Sequence, residues 1–226
     1  MSAENHEERR HAVPRAQPAP ATQVLLACGM VAGPLYVAVT MAEALTRDGF
    51  DLKQHRFSLL TAGNPGWIHQ LNMVMVGAMT VLLAIGVSRV LKAGRGALWG
   101  PRLLAMVGVA YIFGGLLTSD AVVGFPLGTT AEMVQRSWQG VAQNASRGLS
   151  TVLLIATSIA IALWFGMQGR RGWAWFYVLA IPALFDKLTA VGLLIGGNPV
   201  ALAFLMTPWI WVTVLATHLY MSEARR

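Results

Sequence analysis

The stretch Trp173–Ile195, WAWFYVLAIPALFDKLTAVGLLI, decides the fold. It is longer than the roughly 20 apolar residues that a helix needs to cross the hydrocarbon of a bilayer. Its only formal charges are the neighbours Asp186 and Lys187. An ionisable group inside a span is costly unless it meets water, a partner or a cavity, so the pair marks a functional site by default. Adjacent helical positions point about 100° apart, so the two charges cannot neutralise each other on one face. Each needs its own partner.

Five further apolar runs flank this one: Thr22–Leu45, Trp67–Leu91, Trp99–Ser119, Gln143–Gly166 and Val200–Met221. Alternation of period 2, which membrane barrels require, is absent. The chain is 55% hydrophobic and 12% charged, against about 25% charged in soluble domains. Too little polar surface is available to keep such a chain in water. The reading is an all-α integral membrane protein, a six-helix transmembrane bundle over residues 22–221. A charged, Ala- and Pro-rich tail of residues 1–21 reads as disordered, and residues 222–226 form a short second tail. The first run is too long for a signal-peptide core and lacks a small-residue cleavage site, which predicts a retained span.

The net charge of +7 raises the question of nucleic acid. The positive residues lie in short connections and tails rather than on one amphipathic element, and membrane orientation accounts for them better. Arg9, Arg10, Arg15, Arg89, Lys92, Arg95, Arg102, Arg170, Arg171, Arg225 and Arg226 fall on one side of the predicted bundle. That side is therefore cytoplasmic, both termini with it, and the protein is expected to be multi-pass in the cytoplasmic (inner) membrane. Membrane lipids and a lipophilic small molecule are the expected partners, with no nucleic acid; oligomeric state is left open. Cys28 is the single cysteine and no Cys/His spacing fits zinc, so neither a metal nor an intrachain disulfide is expected. Phosphate-binding, dinucleotide and haem-attachment motifs are also missing, and no cofactor is expected.

The first and third connections, Arg47–Gly66 and Asp120–Ala142, are long and lie on the outer side of this topology. They also carry a family likeness. Gly49, Phe50 and Asp51, then His55, Ser58 and Leu60, then Gly66 and Trp67 resemble the DUF 998 family of bacterial and archaeal membrane proteins. Asp120, Gly124, Phe125, Pro126 and Gly128 resemble that family's Asp-Pro-x-x-Gly-Phe-Pro-x-Gly pattern, with Ala121 in place of the proline. The likeness covers about residues 24–221 and implies the fold rather than an activity. Where many members open the fourth span with His-Gly-x-x-His, this chain reads Gln139-Gly140-Val141-Ala142-Gln143. Glutamine keeps hydrogen bonding but neither titrates near neutral pH nor ligates metal in the manner of histidine.

Polar residues converge on the outer half of the predicted bundle. Glu43 lies one turn from the end of the first span, His69 opens the second, Asp120 ends the third and Arg147 begins the fourth. Asp186 lies nine residues before Ile195, roughly 13 Å deep at 1.5 Å per residue. Arg147 could then reach Asp186, and Lys187 could pair with Glu43 or Asp120. One reading is a structural ion-pair network that plugs the bundle. A second is an outward-facing polar pocket for a lipid or small ligand, with His55, Arg56, Trp67, Gln139, Gln143, Arg147 and Lys187 as ligand-binding residues. A third is a membrane-embedded cyclase, isomerase or lipid-modifying enzyme with Glu43, Asp120 or Asp186 as the acid, since burial raises a carboxyl pKa. A small transporter is the remaining alternative, with Pro182 breaking a helix at the site.

Overall fold

The computed structural model describes residues 20–52, 54–179 and 198–225, with side chains in the last stretch described from Thr207 onward. Among the described residues the chain forms six α-helices: α1 Pro20–Thr46, α2 Trp67–Val90, α3 Arg95–Gly115, α4 Trp138–Met167, α5 Arg171–Leu179 and α6 Asn198–Ala224. No strand is present among them; Val122 and Phe125 form an isolated antiparallel bridge. Helices α1 to α4 are each long and apolar enough to cross a membrane. Large apolar side chains such as Leu82, Val109, Phe113, Val152 and Leu163 stand exposed along these helices. Exposed apolar surface on that scale is what a lipid solvent covers. The fifth apolar run is described only over α5 and its first residues, so Pro182, Asp186 and Lys187 lie outside the described residues.

The helices pack in chain order, each on its neighbour from α1 to α5, and α6 returns to α1. Leu26, Val76, Leu83, Leu104, Ile161 and Leu215 fill the core with no exposed surface. Small residues set the crossings, because only they let helix backbones approach closely. A Cβ at Gly77 of α2 would lie 2.6 Å from the Gly108 carbonyl oxygen, and a Cβ at Gly108 of α3 would lie 2.6 Å from that of Gly77. Between α1 and α6, a Cβ at Gly33 would lie 2.8 Å from the Trp209 carbonyl oxygen. The glycine spacing of α1 is therefore used in packing within the chain.

Two helices begin earlier than hydropathy predicts. Helix α3 starts at Arg95 and ends at Gly115, which leaves Ser119 and Asp120 in the following connection rather than at a helix end. Helix α4 starts at Trp138, five residues before the predicted Gln143, because Ser137 caps it by accepting a hydrogen bond from the Gly140 amide at 3.0 Å. Capping chemistry acts in the polar segment that an apolar scan passes over. As a result Arg147 stands nine residues inside the helix.

The two long connections pack on each other at one end of the bundle. Arg47 donates to the carbonyls of Leu60 and Ala62, and its guanidinium lies 5.2 Å from the Phe125 ring centre. Phe125 in turn meets Phe50 at 5.3 Å and His55 at 5.2 Å. The His55 Nδ1 accepts from the Asp51 amide at 2.9 Å. Gly49 at φ 78° and Gly63 at φ 70° turn the chain through the left-handed region that suits glycine. The motif residues of these connections thus build an aromatic cap.

Candidate functional site

Beneath the cap, α1 presents Tyr36, Thr40 and Glu43 on one face at helical spacing, and α2 presents His69 and Asn72. Glu43 lies three residues from the end of α1 and His69 two residues past the start of α2. Two sequential helices that pack together bring such positions to one depth. His69 Nδ1 and Glu43 Oε2 are 2.9 Å apart, with side-chain exposure of 1% and 8%. Asn72 Nδ2 donates to the Tyr36 carbonyl at 3.3 Å and to Thr40 Oγ1 at 3.4 Å.

The other polar atoms of this group lack partners. Glu43 Oε1, His69 Nε2 and Asn72 Oδ1 are buried without a hydrogen-bond partner among the described residues. Most buried polar atoms in proteins are hydrogen-bonded, and each exception calls for an explanation. With Nδ1–H donated to the carboxylate, the imidazole presents a lone pair at Nε2, the arrangement by which a carboxylate orients a histidine base.

Aromatic rings wall the pair. The Tyr36 ring lies 5.9 Å from His69, 6.0 Å from Tyr111 and 4.7 Å from Trp209, and Tyr111 meets Trp209 at 5.1 Å. Trp209 Nε1 is also buried without a partner among the described residues. Trp209 also lines a groove of about 260 Å³ between α1 and α6, together with Gly33, Pro34, Val37, Ile210, Thr213 and Val214. Trp209 thus belongs both to the lining of an apolar groove and to the aromatic group around Tyr36.

The remaining residues singled out in the sequence take up distinct positions. Asp120 Oδ1 accepts from the Ser137 amide at 3.1 Å and its hydroxyl at 2.5 Å, so this carboxylate secures the N-terminus of α4. Gln143 is buried and fully engaged: it accepts from Ser119 Oγ and donates to Thr61 Oγ1 at 3.1 Å and the Leu117 carbonyl at 3.1 Å. Gln139 is half-buried in the first turn of α4, and Trp67 is exposed at the start of α2. Arg147 is exposed; its Nη1 donates to Ser58 Oγ at 3.1 Å and its Nη2 to Asn144 Oδ1 at 3.2 Å. Arg56 is exposed in the same connection as Ser58, two residues before it. Asp186 and Lys187, the residues on which the sequence reading turns, lie outside the described residues.

His69, absent from the predicted ligand set, emerges as the partner of Glu43. Its signal was positional, since it opens one span just after Glu43 closes the preceding one. No group of three or more His, Cys, Asp or Glu residues that could hold a metal occurs among the described residues.

A family model described as "Protein of unknown function (DUF998)" matches residues 30–218. No curated protein and no solved structure matches the chain.

Proposed function

The chain belongs to the DUF998 family, and we propose that it is a membrane protein that binds a lipid or another lipophilic small molecule around the Glu43–His69 pair. The observation that carries this reading is the buried contact of those two side chains, with Glu43 Oε1 and His69 Nε2 lacking partners among the described residues. A carboxylate and an imidazole in an apolar bundle are costly as pure filler, and intramembrane ionisable groups mark sites by default. The apolar groove, Trp209 and the Tyr36–Tyr111 wall supply the mixed surface that an amphiphile fits.

In this reading the bundle has six spans, both termini are cytoplasmic, and the aromatic cap and the site belong to the outer leaflet of the cytoplasmic membrane. The distribution of Lys and Arg supports that orientation. Native mass spectrometry of the purified full-length chain provides the test. A defined lipophilic mass should co-purify with the unaltered protein and be depleted from Glu43→Gln and Trp209→Ala, both still folded. Equal retention in all three would overturn the proposal.

A second reading is favoured by the contact of Glu43 Oε2 with His69 Nδ1 rather than Nε2. Glu43 holding Nδ1 leaves Nε2 as a base toward a bound lipophilic substrate, so the same centre suits acid–base chemistry. Conversion of the co-purifying molecule by unaltered protein, and not by His69→Gln, would promote binding to catalysis.

A further inference from the structure

We infer that Arg56 and Arg147 form a clamp for a phosphate oxyanion, the anionic headgroup of the amphiphile whose apolar part occupies the site above. This inference rests on the lipophile-binding reading and adds the chemical class of the headgroup. Arg147 lies nine residues into α4, about 14 Å along the helix axis at 1.5 Å per residue. The 30 residues of α4 extend for about 45 Å, against a hydrocarbon core of about 30 Å. A long side chain at that depth reaches the level of lipid phosphates by extending toward the interface.

The hydrogen bonds of Arg147 fix its position without neutralising it. A guanidinium carries five N–H donors, and Ser58 Oγ and Asn144 Oδ1 engage one each on Nη1 and Nη2. Both acceptors are neutral, and no carboxylate pairs with Arg147 or Arg56 among the described residues. Arg56, exposed two residues before Ser58 in the same connection, adds a second positive charge. Arg47 at the same end makes an instructive contrast, because it is engaged by two backbone carbonyls and the Phe125 ring. Two exposed arginines at the same end of the bundle, one held in a fixed orientation, present a cradle for a planar or tetrahedral oxyanion. Their combined charge disfavours a headgroup that carries its own cation, such as choline.

The full-length protein in phosphatidylcholine nanodiscs, with and without phosphatidylglycerol, supplies the test by native mass spectrometry. Unaltered protein should retain phosphatidylglycerol over phosphatidylcholine. Arg56→Gln and Arg147→Gln should each reduce that retention by about tenfold, the scale expected for loss of a charge-assisted contact. Arg89→Gln, which removes a positive charge from the C-terminal end of α2, should leave it unchanged. Calorimetric titration of inorganic phosphate into detergent-solubilised protein distinguishes the source. Phosphate binding that both arginine variants abolish, without phosphatidylglycerol preference, would keep the clamp and assign it a soluble anion.

Retention equal to that of the unaltered protein in both arginine variants, together with no phosphate binding, would overturn the clamp. So would an equal loss in Arg89→Gln, since the effect would then be one of overall charge. Should Arg147→Gln fail to fold, Arg56→Gln in the exposed connection still decides. Glu43→Gln separates the two proposals: loss of the lipophilic mass in that variant, with unchanged ligand in both arginine variants, leaves the binding reading standing and removes only the clamp.

Discussion

His69 Nδ1 lies 2.9 Å from Glu43 Oε2, at a point where α1 is about to leave the bundle and α2 has just entered it. The contact joins the two helices across the first long connection and places a carboxylate in an apolar interior beside an aromatic wall. Removing one partner strands the other. Glu43→Ala should therefore lower the unfolding free energy by about 1–3 kcal/mol, the desolvation penalty of the imidazole nitrogen left without an acceptor. Glu43→Gln retains an acceptor oxygen and should lose less. Thermal denaturation in detergent measures the ordering, and equal losses in the two variants would exclude a specific hydrogen bond as the source.

Asp120 and Gly140 should behave as a coupled pair. A Cβ at Gly140 would overlap the Asp120 carboxylate, which secures the Ser137 cap of α4. Asp120→Ala removes an anchor at a helix N-terminus and should cost about 1 kcal/mol, the usual scale for a lost cap. Gly140→Ala should be more damaging in the unaltered protein than in the Asp120→Ala background, with a coupling energy on the order of 0.5–3 kcal/mol. Strict additivity in a double-mutant cycle would show that Asp120 yields without consequence.

The helices were legible because hydropathy acts over many residues: the runs beginning at Thr22 and Trp67 match α1 and α2 to within two residues. The start of α4 was not, because one serine side chain and an aspartate distant in sequence set it. The loop motifs were visible as a pattern, while their physical meaning required the fold. Phe50, His55 and Phe125 are separated in sequence and meet only when the connections stack. Glu43 stands out in the sequence as a charge within a span, where opposite charge points to Lys187 as its partner. Opposite formal charge does not single out a histidine, which meets a carboxylate through a ring nitrogen.

Gln143 should prove a determinant of stability at the capped end. Its amide ties Ser119, Thr61 and the Leu117 carbonyl together in a buried network, and the Ser119 amide donates to the same Thr61 hydroxyl at 2.9 Å. Gln143→Leu removes the hub and leaves several buried groups unpaired, at a cost of about 2 kcal/mol or more. Hydrogen exchange should rise at Ser119 and through Phe57–Thr61, a short 3-10 turn in the first long connection, with α6 unaffected. Unchanged protection of the Ser119 amide would mean that Thr61 holds the network without Gln143.

Gly77 and Gly108 offer a test of how the bundle is packed. Each would direct an added Cβ to 2.6 Å from the carbonyl oxygen of the other, so their helices touch through backbone. Gly77→Ala should force α2 and α3 apart or strain their backbones, at about 1–3 kcal/mol for overpacking a close-fitted contact. Gly108→Ala should do the same. The double variant should cost clearly less than the two losses added, because separation imposed by the first methyl makes room for the second. Full additivity, measured by chemical denaturation in one detergent, would mean that each methyl is absorbed locally and that the crossing does not move as a unit.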